Sequence, residues 1–91
     1  MTILENNLLF IIKSCPHCRR ALAWMDELKK ENPAYEEAAF TIIDELKEPD
    51  IADSYDYFLV PTCYVDGEKV HEGIPTKEKM RNVLEKACKK D

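Results

Sequence analysis

Two cysteines separated by two residues, in Cys15-Pro16-His17-Cys18, carry the clearest chemistry in the chain. Thiols three positions apart on a helix share one face, close enough to form a disulfide. Cys15 falls where an apolar run ends and a helical pattern begins. There the unpaired N–H groups and the helix dipole favour a thiolate over a thiol. Pro16 suits the first helical turn, because the N–H it lacks has no partner there and its fixed φ holds Cys15 at the entry. Lys13 adds a nearby positive charge. His17 adds another if protonated or donating; the bland alternative is a solvent-facing spacer. A stabilised thiolate is also a good leaving group, so the same features set the redox poise as well as attack on a disulfide. The competing chemistry for the pair is half of a metal site. Zinc would need two further ligands, and His17, Cys63, His71 and Cys88 show no second paired spacing.

The elements that must position this motif follow from the apolar pattern. Leu8 to Ile12 is a short continuous apolar run, read as a strand buried on both faces at the centre of a sheet. From Pro16 onward Ala21, Leu22, Met25 and Leu28 recur at helical spacing, and Asn32-Pro33 ends the pattern. Ala39 to Ile43 is a second strand, closed by Asp44. Strand, helix and strand make a right-handed βαβ unit with parallel strands. Pro49 opens a short helix through Ile51, Ala52 and Tyr55 that ends near Tyr57. Thr62 to Val65 and Glu68 to His71 are joined by Asp66-Gly67, whose positive φ angles suit a two-residue hairpin turn. In that register Val65 faces Glu68, Cys63 faces Val70 and Thr62 faces His71, so Cys63, Val65 and Val70 share one face. Thr76 caps a last helix with Met80, Val83, Leu84, Ala87 and Cys88 as its apolar stripe. Cys63 and Cys88 read as core thiols, and His71 as a strand-end surface residue.

Ninety-one residues support one domain with a modest core, spanning 1–91. With 45% hydrophobic and 34% charged residues the chain is of soluble globular type. Thirteen basic against eighteen acidic residues give a net charge of −5, which works against nucleic acid and anionic lipid as partners. Residues 1–7 lack the basic cluster of a signal peptide, and the apolar run after them is too short to span a bilayer. Four cysteines without an export signal point to a reducing, cytoplasmic setting. The acidic run from Asp44 to Asp56 is a solvated helix face or a contact for a basic partner.

In its Cys-Pro-His-Cys at a strand-to-helix junction and its Val60-Pro61-Thr62 downstream, the chain resembles the glutaredoxin branch of the thioredoxin-like family, by element order from Leu8 to Lys89. The resemblance implies an α/β fold, a four-stranded mixed sheet with three helices in the order βαβ-αββ-α. It also implies that Pro61 is cis and faces the cysteines, that Val60 offers backbone hydrogen bonds to substrate, and that Lys13 and Gly73 border the binding site. Where the family carries a Gly-Gly pair this chain reads Glu72-Gly73, and Glu72 is expected to bring a negative charge toward the carboxylates of glutathione. The implied activity is thiol–disulfide exchange, Cys15 attacking and Cys18 resolving. No bound cofactor is needed. Glutathione or a thioredoxin-reductase system acts as external reductant, and the substrate is a disulfide-containing protein or a low-molecular-weight thiol. A monomer is expected. A metal or iron–sulfur module using Cys15, and a redox-inert interaction domain, are the rival functions.

Overall fold

A computed structural model of the chain describes residues 7–88; the expectations for the first residues of the amino terminus and for Lys89 lie outside them. The strands are β1 (Leu8–Ile11), β2 (Thr41–Asp44), β3 (Thr62–Val65) and β4 (Glu68–Glu72). The helices are α1 (Pro16–Glu31), α2 (Pro49–Asp53) and α3 (Lys77–Cys88). They form one sheet in the order β2-β1-β3-β4. β1 and β2 run parallel, whereas β1 with β3 and β3 with β4 are antiparallel. The thioredoxin-like α/β architecture expected from the element order is therefore present.

Period-two alternation along the strands divides the core in two. Leu9 and Ile11 of β1, with Cys63 and Val65 of β3, face α1 and α3 and meet Ala21, Met25, Leu28, Met80, Val83 and Leu84. Phe10, Ile43 and Tyr64 face the other way, toward Ala52 of α2. There Phe10 stacks on Tyr57 at 4.8 Å between ring centroids and meets Tyr64 edge-on at 5.8 Å. Helices thus cover both faces, and β1 lies between two strands because every one of its residues has a face to bury. No helix among the described residues is long and apolar enough to cross a membrane.

Four local expectations need correction. β2 begins at Thr41 rather than Ala39, because a 3-10 turn at Pro33–Glu37 occupies the connection from α1. That turn buries Tyr35, whose hydroxyl donates to Glu85 Oε2 of α3 at 2.5 Å. α2 stops at Asp53, four residues short of Tyr57; the tyrosines that follow turn into the aromatic cluster instead of extending the helix. Third, Cys88 is only half-buried at the edge of the core. Most consequential is the hairpin. Asp66 and Gly67 take the expected positive φ of 54° and 81°, and Val65 faces Glu68. Between Cys63 and Tyr64, however, the register shifts, so Cys63 faces His71 and Thr62 faces Glu72. Val70 is the extra residue of a bulge on the edge strand, and still packs on the Cys63 face.

Candidate active site

Strand register gathers the site at one end of the sheet. β1 leaves it through Ile11, paired with Asp44 of β2. β3 enters beside it at Thr62, paired with Phe10 on one side and Glu72 on the other. The segments from Lys13 to Cys18, from Val60 to Pro61 and from Glu72 to Gly73 therefore converge at the carboxyl ends of the two parallel strands. The Val60–Pro61 peptide bond is cis. Val60 and Cys15 are both half-buried against the same core cluster.

Cys15 occupies the N-cap position of α1, with extended backbone and no side-chain cap bond, and Pro16 opens the first turn. The backbone N–H of Cys18, first, and then the thiol of Cys18 and the N–H of His17 favour the Cys15 anion and lower its pKa. Burial opposes them, and the Arg20 guanidinium adds a smaller lowering effect. Cys18 differs sharply. It is 1% exposed, and burial raises its pKa to about 11 against the lowering effect of the Ile12 N–H, which lies 3.5 Å from Cys18 Sγ. The motif thus combines an accessible, anion-stabilised sulfur with a buried, protonated one.

The charges expected around Cys15 are rearranged. Lys13 is exposed, and its carbonyl accepts a hydrogen bond from Arg19 Nε at 3.4 Å. His17 Nδ1 accepts from Arg20 Nη2 at 2.8 Å. Guanidinium nitrogens only donate, so this ring nitrogen carries no proton in that contact. The cation acting on Cys15 is Arg20, held by His17, rather than His17 itself. Sequence reasoning passed over Arg20; its spacing three residues beyond His17 on a helix was the available signal.

The outer wall is built from β4 and the segment before Pro61. Gly73 has a φ of 96°, so the backbone requires glycine, and a Cβ there would come within 3.3 Å of Leu59 Cδ1, the end of an exposed side chain. Its N–H donates to the Pro61 carbonyl at 3.0 Å. His71 Nε2 contacts the Gly73 carbonyl at 2.9 Å. Half-buried and tied to this turn, His71 is more than a surface residue. Glu72 corrects a second expectation. Its carboxylate turns to its own chain, accepting from the N–H groups of Phe58 and Leu59 and from Lys69 Nζ at 2.7 Å. Lys69 first, and then the two amides, lower its pKa to about 2. A carboxylate so neutralised does not repel an incoming anion as an unpaired one would.

Cys63 lies beneath the site, fully buried among apolar side chains, with its pKa pushed up to about 12 chiefly by burial and secondarily by Cys18. Such a thiol is inert. No group of three or more His, Cys, Asp or Glu side chains that could hold a metal ion occurs among the described residues.

A mixed four-stranded sheet with a cysteine pair at the entry of its first helix and a cis-proline loop at the same sheet end defines the thioredoxin-like class. The chain belongs to the thioredoxin domain family, whose family model matches residues 8–85. It is 32% identical over 78 residues to a protein named thioredoxin from Methanocaldococcus jannaschii, an alignment covering 86% of this chain and 89% of that one. Membership supports thiol–disulfide oxidoreductase chemistry in general.

Proposed function

We propose that the protein is a small dithiol oxidoreductase that reduces disulfides through Cys15 and Cys18. The asymmetry of the two thiols carries this reading: Cys15 is reachable and favours the thiolate, whereas Cys18 is buried with a pKa of about 11. Cys15 thiolate attacks one sulfur of a substrate disulfide, forming a mixed disulfide and releasing the other sulfur as a thiolate. With the charge on Cys15 gone, Cys18 gives its proton to that thiolate or to solvent and attacks Cys15 Sγ. This expels the second substrate thiol and leaves a Cys15–Cys18 disulfide. The substrate keeps the two electrons it has received, and an external reductant supplies two more that reduce the Cys15–Cys18 disulfide back to the dithiol. Val60, whose backbone N–H and carbonyl have no hydrogen-bond partner among the described residues, is the group that aligns an extended substrate.

The substrate in this reading is a protein disulfide, with a thioredoxin-reductase system as electron donor and no resident cofactor. The relative named thioredoxin supports it. A second reading, the glutaredoxin type with glutathione as donor, is favoured by the neutralisation of Glu72, which removes much of the expected repulsion. In a Cys18→Ser variant incubated with an oxidised protein substrate, mass spectrometry should find a mixed disulfide at Cys15. Adducts at Cys63 or Cys88 would contradict the assignment. Wild-type turnover with glutathione against turnover with a thioredoxin reductase separates the two donors. An absorbance band above 400 nm after anaerobic purification would instead favour an iron–sulfur module.

A further inference from the structure

The segment that delivers Val60 and Pro61 to the site has little burial to hold it. Phe58 is 89% exposed and Leu59 59% exposed, so the apolar contacts that fix most backbone are missing here. Its anchorage is polar and comes from β3 and β4. Tyr64 Oη and Lys69 Nζ donate to the Asp56 carbonyl at 2.8 Å and 3.2 Å, and Thr62 Oγ1 donates to the Leu59 carbonyl. Glu72 supplies the bonds on the donor side: Oε2 accepts both the Phe58 N–H and, at 2.9 Å, the Leu59 N–H. Its other oxygen takes Lys69, the same ammonium that holds Asp56. An exposed ion pair alone would contribute little. A carboxylate shared by two backbone amides forms charge-assisted bonds that also fix direction.

We propose that Glu72 is a positioning residue for substrate: by clamping the Phe58 and Leu59 amides to β4, it sets where Val60 presents its backbone beside Cys15. This rests on the disulfide-reductase reading above. The clamp also leaves Val60, between two anchored neighbours, as the residue with free backbone groups for an extended chain. It depends on the Val70 bulge, which pairs Glu72 with Thr62 and so places it on the sheet face of Tyr64 and Lys69, the two residues that hold Asp56.

Two measurements test it, one independent of activity. By NMR hydrogen exchange, the Phe58 and Leu59 amides of the wild type should exchange at least about tenfold more slowly than in an unstructured peptide, despite their exposed side chains. Glu72→Ala should remove that protection, and Glu72→Gln, which keeps an acceptor oxygen, should restore much of it. With insulin as the disulfide substrate and dithiothreitol as reductant, Glu72→Ala should raise KM about tenfold and change kcat by less than about twofold, with Glu72→Gln in between. Unprotected amides in the wild type overturn the role of Glu72 even if the alanine variant does not fold. A KM for folded Glu72→Ala within about twofold of wild type overturns it as well. Wild-type protein with protected amides that reduces no disulfide overturns the enzymatic reading, and substrate positioning falls with it.

Discussion

Cys15 and Cys18 are chemically alike in the unfolded chain and are driven apart by the fold. Amides at the start of α1 and the Arg20 charge favour the anion at Cys15, while burial favours the thiol at Cys18. Thiolate absorbance near 240 nm should therefore rise first below the ordinary thiol range, for Cys15, in a step separated from the later rise of the raised thiols, Cys18 near 11 among them. Cys15→Ser should remove the first step and abolish disulfide reduction, since a serine hydroxyl neither ionises near neutral pH nor forms a mixed disulfide. Arg20→Gln should move the first step upward and slow attack at pH 7 by about twofold, because higher intrinsic nucleophilicity offsets part of the lost thiolate. A first step that stays in place would remove Arg20 from the site.

At the scale of elements, the two long helices begin differently, and the difference falls at Cys15. α3 is capped by Thr76, whose hydroxyl accepts from the Lys79 N–H at 3.1 Å. α1 leaves that position to Cys15, with no side-chain cap bond, and the amides of Cys18 and His17 favour its thiolate. Thr76→Ala should cost about 1 kcal/mol in urea unfolding, which for a domain of this size lowers Tm by about 4–8 °C. The Cys15 titration should not respond, since Thr76 belongs to another helix.

For the whole molecule, the balance between a small core and buried titratable groups sets the pH range of stability. Cys18 and Cys63 have pKa values raised to about 11 and about 12 by burial. Groups that must stay neutral to remain buried contribute stability that is complete below their unfolded pKa and is lost as pH rises toward the folded one. Stability should hold up to about pH 9 and fall between about pH 9 and 12, the unfolded thiols ionising first. Removing one such thiol in Cys63→Ala should reduce the slope over that interval by about one proton, or about 1.4 kcal/mol per pH unit. Urea unfolding at a series of alkaline pH values measures it, and equal slopes in the two proteins would refute the linkage.

Much of this was legible in the chain itself where neighbours in sequence decide the outcome. The apolar run at Leu8, the helical spacing from Ala21 to Leu28, the Asp66-Gly67 turn and the cysteine pair behind Pro16 each depend on residues within a few positions. Backbone preference and burial pattern there point the same way. What stayed illegible depends on partners brought together from afar. The Val70 bulge, the 3-10 turn docked on Glu85 and the grip of Glu72 on Phe58 and Leu59 have no local signature. A bulge changes which residues oppose one another across a hairpin without altering the pattern of apolar residues along it, and a carboxylate finds its amides only once two strands and a loop have packed. The sequence by itself thus determined the fold class and singled out the Cys15–Cys18 pair. Only the tertiary structure decided which charges face Cys15 and what holds the loop beside it, because those contacts form between segments that meet when the sheet is assembled.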